Sequence, residues 1–259
     1  MSGTLDLTPA PAAAPLRAMV AAQASFELRT LLRNGEQLLL TMVIPVLLLV
    51  LFSTTGLLDL GPGERVDFLT PGVLALAVMS TAFTGQAIAT GFERRYGALK
   101  RLGATPLPRG GLIAAKTLAV LAVELMQTAL ICAVALALGW SPHGGIGGAL
   151  SAVALVLAGT AAFSGFGLLM AGTLRAEATL AAANLVYLLL LALGGVVFPL
   201  DRFPAGMAAA LELLPIAALS DGLRQVLQQG VALPAGALAT LLAWAVVGPV
   251  LAALFFKWE

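Results

Sequence analysis

Glu124 is the residue whose position most invites chemistry: an acid in the middle of an apolar run that covers residues 111–139. A charged carboxylate at the centre of a lipid-embedded helix costs roughly 2.5–3.5 kcal/mol on insertion scales, so such residues usually face a bundle interior or a water-filled cavity. Gln127 and Thr128 follow it by three and four residues and Thr117 precedes it by seven, a helical spacing that gathers them on one polar stripe. Two readings stay open. The stripe lines a route for a polar or cationic part of a transported molecule, or a protonated Glu124 is hydrogen-bonded to a neighbouring helix purely for packing. A proton- or ion-driven carrier built on Glu124 is the alternative functional reading. Such carriers show internal repeats and helices broken near the midplane, and the sequence displays neither.

Other chemistry is poorly supplied. Residues 110–117 approach the phosphate-binding pattern G-x-x-x-x-G-K-[ST], with Gly110, Lys116 and Thr117 in place, but Ala115 stands where the second glycine belongs. A working loop needs a preceding buried strand and a helix N-terminus in water, whereas this stretch leads straight into an apolar run. The single histidine, His143, sits in the turn sequence Ser141-Pro142-His143-Gly144-Gly145, and the single cysteine, Cys132, sits inside an apolar run. Neither a zinc site nor an intrachain disulfide follows from that supply. Asp59, Glu64 and Asp67 read as a solvated acidic loop. The chain is therefore expected to be non-catalytic, to hold no metal or cofactor of its own, and to have no nucleic-acid partner.

The elements that must position these residues are legible from composition. Hydrophobic residues make up 60 % of the chain and charged residues 10 %, with a mean hydropathy of +1.00, too little polar surface to cover a water-soluble domain of this size. Apolar runs at 37–58, 70–92, 111–139, 147–173, 179–200 and 235–256 are each long enough to cross a bilayer as a helix. They are longer than barrel strands and lack strand alternation. The expected fold class is an all-α integral membrane protein with six transmembrane helices. Residues 1–15, with Pro9, Pro11 and Pro15 among alanines, read as a flexible tail. Over 16–36, Val20, Ala24, Leu28 and Leu31 recur at helical spacing while Arg29, Arg33 and Glu36 mark another face, the pattern of an amphipathic helix lying along a membrane surface. Residues 37–259 form the membrane domain. Small residues in the fourth run, Ala161 and Gly165 among them, suit close helix approach.

Charge sets the orientation, because loops rich in Arg and Lys stay in the cytoplasm. Arg17, Arg29, Arg33, Arg94, Arg95, Lys100, Arg101, Arg109, Lys116, Arg175 and Lys257 fall on one side of the runs. The opposite gaps hold Arg65, Arg202 and Arg224 beside Asp59, Glu64, Asp67, Asp201, Glu212 and Asp221. Both termini are expected to be cytoplasmic, and the net charge of +1 merely averages the two faces.

The segment 93–106 opens directly out of the second run and is too polar to cross. Between Tyr96 and Leu102 it can form a short helix with Leu99 and Leu102 on one side and Lys100 and Arg101 exposed, stopped by Gly103 and Pro106. Between the fifth and sixth runs, Pro199, Pro204 and Pro215 divide a half-apolar segment, about 200–230, into pieces near 205–214 and 216–229 that dip into the outer leaflet or cap an exit.

Glu93, Gly97, Leu99, Leu102, Thr105 and Pro106 resemble the E-x-x-x-G-x-L-x-x-L-x-x-T-P pattern in the membrane subunits of type 2 ABC exporters. Two further segments agree in the right order. The stretch from Arg29 to Leu51, with Ile44-Pro45, is similar to the family's lead-in, although Asn34-Gly35 stands where an Asp-Pro-like step is more usual. Gly194 through Phe198-Pro199, then Phe203-Pro204, Leu214-Pro215 and Arg224, resembles its G-x-x-F-P, P and R succession.

The resemblance implies a permease subunit that pairs with a second copy or a paralogue and carries two ABC ATPase subunits, on which ATP and Mg are bound. It makes 93–106 the ATPase-coupling segment, with Glu93, Arg94, Arg95, Tyr96, Gly97, Leu99, Lys100, Arg101, Leu102, Thr105 and Pro106 as its residues. Phe198, Pro199, Phe203, Pro204, Pro215 and Arg224 become an outer gate. An amphipathic drug, lipid or glycoconjugate is the implied cargo. Arginine outnumbers lysine and alanine is abundant, which points to a bacterial plasma membrane.

Overall fold

Alternation between long apolar helices and short polar breaks organises the computed structural model, which describes residues 13–55, 65–196, 200 and 203–255. Among the described residues there are helices and no strand. The amphipathic α1, Leu16–Arg33, ends at Asn34, and α2, Gly35–Thr54, starts at once. Next come α3, Arg65–Val78, a π-helical stretch at Met79–Gly85, and α4, Gln86–Arg95, which together form one continuous run. The short α5, Ala98–Gly103, precedes α6, Arg109–Ala137, α7, Gly145–Thr173, and α8, Ala176–Leu193. Two shorter helices, α9, Ala205–Leu211, and α10, Pro215–Leu227, lead to α11, Ala235–Phe255.

Among the described residues, five helical runs are long and apolar enough to cross a membrane: Arg65–Arg95, Gly110–Ala137, Gly145–Thr173, Ala176–Leu193 and Ala235–Phe255. A shorter apolar stretch, Thr41–Thr54, lies within α2. The all-α membrane class expected from the sequence holds. Boundaries differ most in two places. The second run begins at Arg65 rather than at residue 70, and at 31 residues and about 1.5 Å per residue it outreaches a hydrocarbon layer of about 30 Å. Its charged first turn, with Arg65 and Asp67, is helix rather than loop. The fifth run stops at Leu193, just ahead of Gly194-Gly195.

The run of α3, the π stretch and α4 is the most enclosed, and α8 and α11 are the most peripheral. α7 stands next to α11, α10, α4 and the π stretch. Lipid gives no hydrophobic drive for helices to associate, so close van der Waals packing at small residues does that work. Gly165 lies against Gly248 and Pro249 of α11, and Gly159 against Leu219 of α10, so this part of the small-residue pattern serves contacts within the chain. The π stretch widens the helix in mid-span, and nothing in the residue pattern announces it.

Candidate functional site

At the end of the bundle that carries most of the basic residues, the chain leaves α4 through Gly97, whose φ of +72° is a left-handed conformation that glycine adopts without penalty. That turn stops α4 and starts α5. Leu99 points inward and is buried, Leu102 is half-buried, and Tyr96, Lys100 and Arg101 are exposed. The Thr105 hydroxyl donates to the Leu102 carbonyl at 2.6 Å, closing the C-terminal end of α5 ahead of the exposed Pro106. The result is a short helix pinned by one leucine and presenting an aromatic ring and two cations.

The three residues before this helix reach in three directions. Glu93 turns inward: Lys116 Nζ lies 2.6 Å from Glu93 Oε2 and 3.1 Å from Glu27 Oε2, while Gln23 Nε2 donates to Glu27 Oε1 at 2.8 Å. One ammonium thus clasps α1, α4 and α6 together in a site where Lys116 and Glu27 are both buried. Burying an ion pair is costly, and what offsets that cost is charge-assisted hydrogen bonding of this kind. The Arg94 guanidinium donates to the Gly172 carbonyl at 2.5 Å and to the Leu174 carbonyl. A cation there satisfies the open carbonyls at the C-terminus of α7 and meets the negative end of its dipole. Arg95 forms an exposed ion pair with Glu177 in the first turn of α8. The base of α5 is therefore tied to α1, α6, α7 and α8.

Further along α6, the expected polar stripe divides. Glu124, 3 % exposed, accepts from the Thr160 hydroxyl of α7 at 2.6 Å, and its second oxygen is buried without a partner. Gln127 turns to other helices: its Oε1 accepts from Thr81 in the π stretch at 2.7 Å, and its Nε2 donates to the Thr41 carbonyl of α2 at 2.6 Å. Thr128 is half-buried, and the Thr117 hydroxyl bonds back to the Ile113 carbonyl. The stripe thus joins four elements, α6, α7, α2 and the π stretch. Residues 110–117 form the first turns of α6, with Lys116 drawn into the clasp, so no open phosphate-binding loop exists there.

At the opposite end, α10 is buried along almost its whole length, and Arg224 is its polar centre. Its Nη2 donates to the Val196 carbonyl at 2.9 Å, its Nε to the Phe68 carbonyl at 3.3 Å, and its guanidinium carbon lies 4.0 Å from the centre of the Phe68 ring. Gly72 makes room for this: a Cβ there would fall 2.6 Å from the Val196 carbonyl oxygen and 2.9 Å from Arg224 Nη2. Burial draws the guanidinium down to about 10, against the raising pull of Asp221, so it stays charged at neutral pH. The backbone NH of His143 donates to the Leu227 carbonyl at 2.8 Å, and that of Ser141 to Asp67 at 3.2 Å. Phe203 is half-buried, Pro204 exposed and Pro215 buried at the start of α10. Phe198 and Pro199 lie outside the described residues, as do Asp59, Glu64 and the first twelve residues. Among the described residues no group of three or more His, Cys, Asp or Glu is placed to hold a metal.

The resemblance counted Glu93 within the ATPase-coupling segment, and the sequence pattern did not single out Glu27. A signal was available: Glu27 shares the apolar side of α1 with Val20, Ala24, Leu28 and Leu31, where an acid needs a partner. Thr81 and Thr160 carried no such signal, since threonine is common in membrane helices.

These features define a multi-pass helical membrane protein with a short, charged, exposed helix at one end and a tightly knit cap at the other. Residues 20–227 match the ABC-2 type transporter family, and the chain belongs to it as a permease subunit. Members of this family are membrane components of transport systems whose general partner is an ABC ATPase. No curated protein matches the chain.

Proposed function

We propose that the chain is the permease half of an ATP-driven exporter in a bacterial plasma membrane, with both termini and α5 on the cytoplasmic side. Two ATPase subunits, which bind the ATP and Mg, dock on α5. A second permease copy or a paralogue completes the membrane core, and the cargo is an amphipathic drug, lipid or glycoconjugate. The observation that carries this reading is the exposed set Tyr96, Lys100 and Arg101 on a helix anchored by buried Leu99. A partner that moves α5 pulls on Gly97 and α4. Through Glu93 it reaches α1 and α6, and through Arg94 and Arg95 it reaches α7 and α8. Chemical energy thus enters by protein contact.

Charge reversal tests the docking. The double variant Lys100→Glu, Arg101→Glu should lose co-purification with the partner ATPase by more than about tenfold, the loss of two charged rim contacts at about 1 kcal/mol each. Its melting temperature should not change, because both side chains are exposed. Reconstituted protein that moves cargo on a proton gradient with no ATPase present overturns the reading. Glu124→Gln should lower export in the assembled system while leaving assembly intact, and normal export by that variant assigns Glu124 to packing alone.

A further inference from the structure

The Lys116 clasp is short of positive charge. One ammonium meets two carboxylates, Glu93 at 2.6 Å and Glu27 at 3.1 Å. With all three groups ionised the site keeps a surplus negative charge, in surroundings where little water is present to disperse it.

The two carboxylates are not equivalent. Both oxygens of Glu27 are occupied, Oε1 by the Gln23 amide and Oε2 by Lys116, and its side chain is 9 % exposed. Glu93 offers Oε2 to Lys116, its other oxygen has no partner among the described residues, and its side chain is 25 % exposed. Water therefore reaches Glu93 more readily than Glu27.

Neighbouring charges are turned elsewhere. On α4 itself Arg94 bonds the Gly172 and Leu174 carbonyls, and Arg95 pairs with Glu177 of α8. Lys100 and Arg101 of α5, Arg17, Arg29 and Arg33 of α1, and Arg175 ahead of α8 are exposed. On α6, Arg109 and Glu124 stand about two turns from Lys116 on either side. Neither α7 nor the π stretch carries a charged residue.

A proton on Glu93 removes the surplus. Lys116 and Glu27 are then a matched pair, and the carbonyl oxygen of the neutral Glu93 acid still accepts from Lys116. Released into water, Glu93 is ionised at neutral pH and needs no proton. The closed clasp thus binds one proton more than the open one, and by linkage acid favours closure while rising pH favours opening.

We propose that the clasp is a proton-operated joint, which closes on α4 by taking one proton from water onto Glu93 and opens by giving it back. Glu93 lies at the foot of α5, so the closed joint ties α5 to α1 and α6. The open joint leaves that foot tied to α7 and α8 through Arg94 and Arg95. The inference is independent of the ATPase reading, and its test contains no ATPase or nucleotide.

The full-length chain in lipid nanodiscs carries spin labels at Ser25→Cys on α1 and Ala104→Cys at the end of α5, both exposed positions, with Cys132→Ala to remove the native thiol. Pulsed electron resonance reads the near and far populations of this pair. One proton shifts their ratio by up to about tenfold per pH unit, so near over far should rise at least about tenfold from about pH 8 to about pH 5. Glu93→Gln, permanently neutral, should hold the near population at every pH. Glu27→Gln, whose remaining carboxylate and ammonium already match, should vary by less than about twofold over the same range. Glu177→Gln, which breaks the exposed pair with Arg95, should respond to pH as the parent does. A parent ratio that stays flat or falls with acid overturns the proposal. So does a pH response that survives in Glu27→Gln or Glu93→Gln, or one that disappears in Glu177→Gln.

Discussion

The two ends of this bundle are each organised by one buried cation, and the cations differ in what they hold. Lys116 grips two carboxylates, Glu27 and Glu93, that belong to separate helices. Arg224 grips backbone carbonyls of Phe68 and Val196 and stacks on a ring. A clasp of side-chain charges is strong only while every member keeps its place, since removing one partner strands the others in a poorly solvating medium. A strut onto carbonyls has partners that cannot titrate or be substituted. At one end α1, α4 and α6 meet through side-chain charges beside α5, while at the other α10 is built in through backbone carbonyls.

Deleting the clasp should have the largest consequence. Lys116→Met leaves two buried carboxylates facing each other and should cost about 4 kcal/mol in a detergent unfolding titration. Adding Glu27→Gln and Glu93→Gln should recover most of that loss; no recovery would mean that Lys116 acts through its aliphatic stem and not through charge. Arg224→Met should cost less, about 2–3 kcal/mol, by orphaning the Phe68 and Val196 carbonyls. Substituting neighbouring acids such as Asp221 should not rescue it. A rescue by Asp221→Asn would show that the two ends obey the same electrostatics and would end the comparison. Arg95→Ala removes an exposed ion pair with Glu177 and should change stability by only about 0.5 kcal/mol or less. A larger loss would extend the clasp to α8.

Much of the basic end could be read from residue order. The polar break after the second run, Gly97, the inward leucines and the outward Lys100 and Arg101 are all local signals, and α5 lies where they put it. The apolar face of α1 was legible in the same way. The clasp was not, because Lys116 and Glu27 are 89 residues apart and Lys116 and Glu93 are 23 apart, and a charge does not record in sequence which distant charge it meets. The stripe around Glu124 shows the limit from the other side. Helical spacing placed Glu124 and Gln127 on neighbouring positions, but each side chain followed whichever neighbour offered a hydrogen bond, Thr160 for one and Thr81 with the Thr41 carbonyl for the other.

Composition and periodicity alone determined that this chain is a helical membrane protein, which face of its loops is basic, and where the exposed helix between the second and third runs would form. Those properties depend on each residue's own preference for lipid, water or a helical turn. Only the tertiary structure decided that Lys116 closes a three-helix clasp, that Arg224 is a strut, and that the second run contains a π turn. These depend on which helices become neighbours, and in a bilayer that choice is made by close packing and paired polar groups rather than by the apolar surface all the runs have in common.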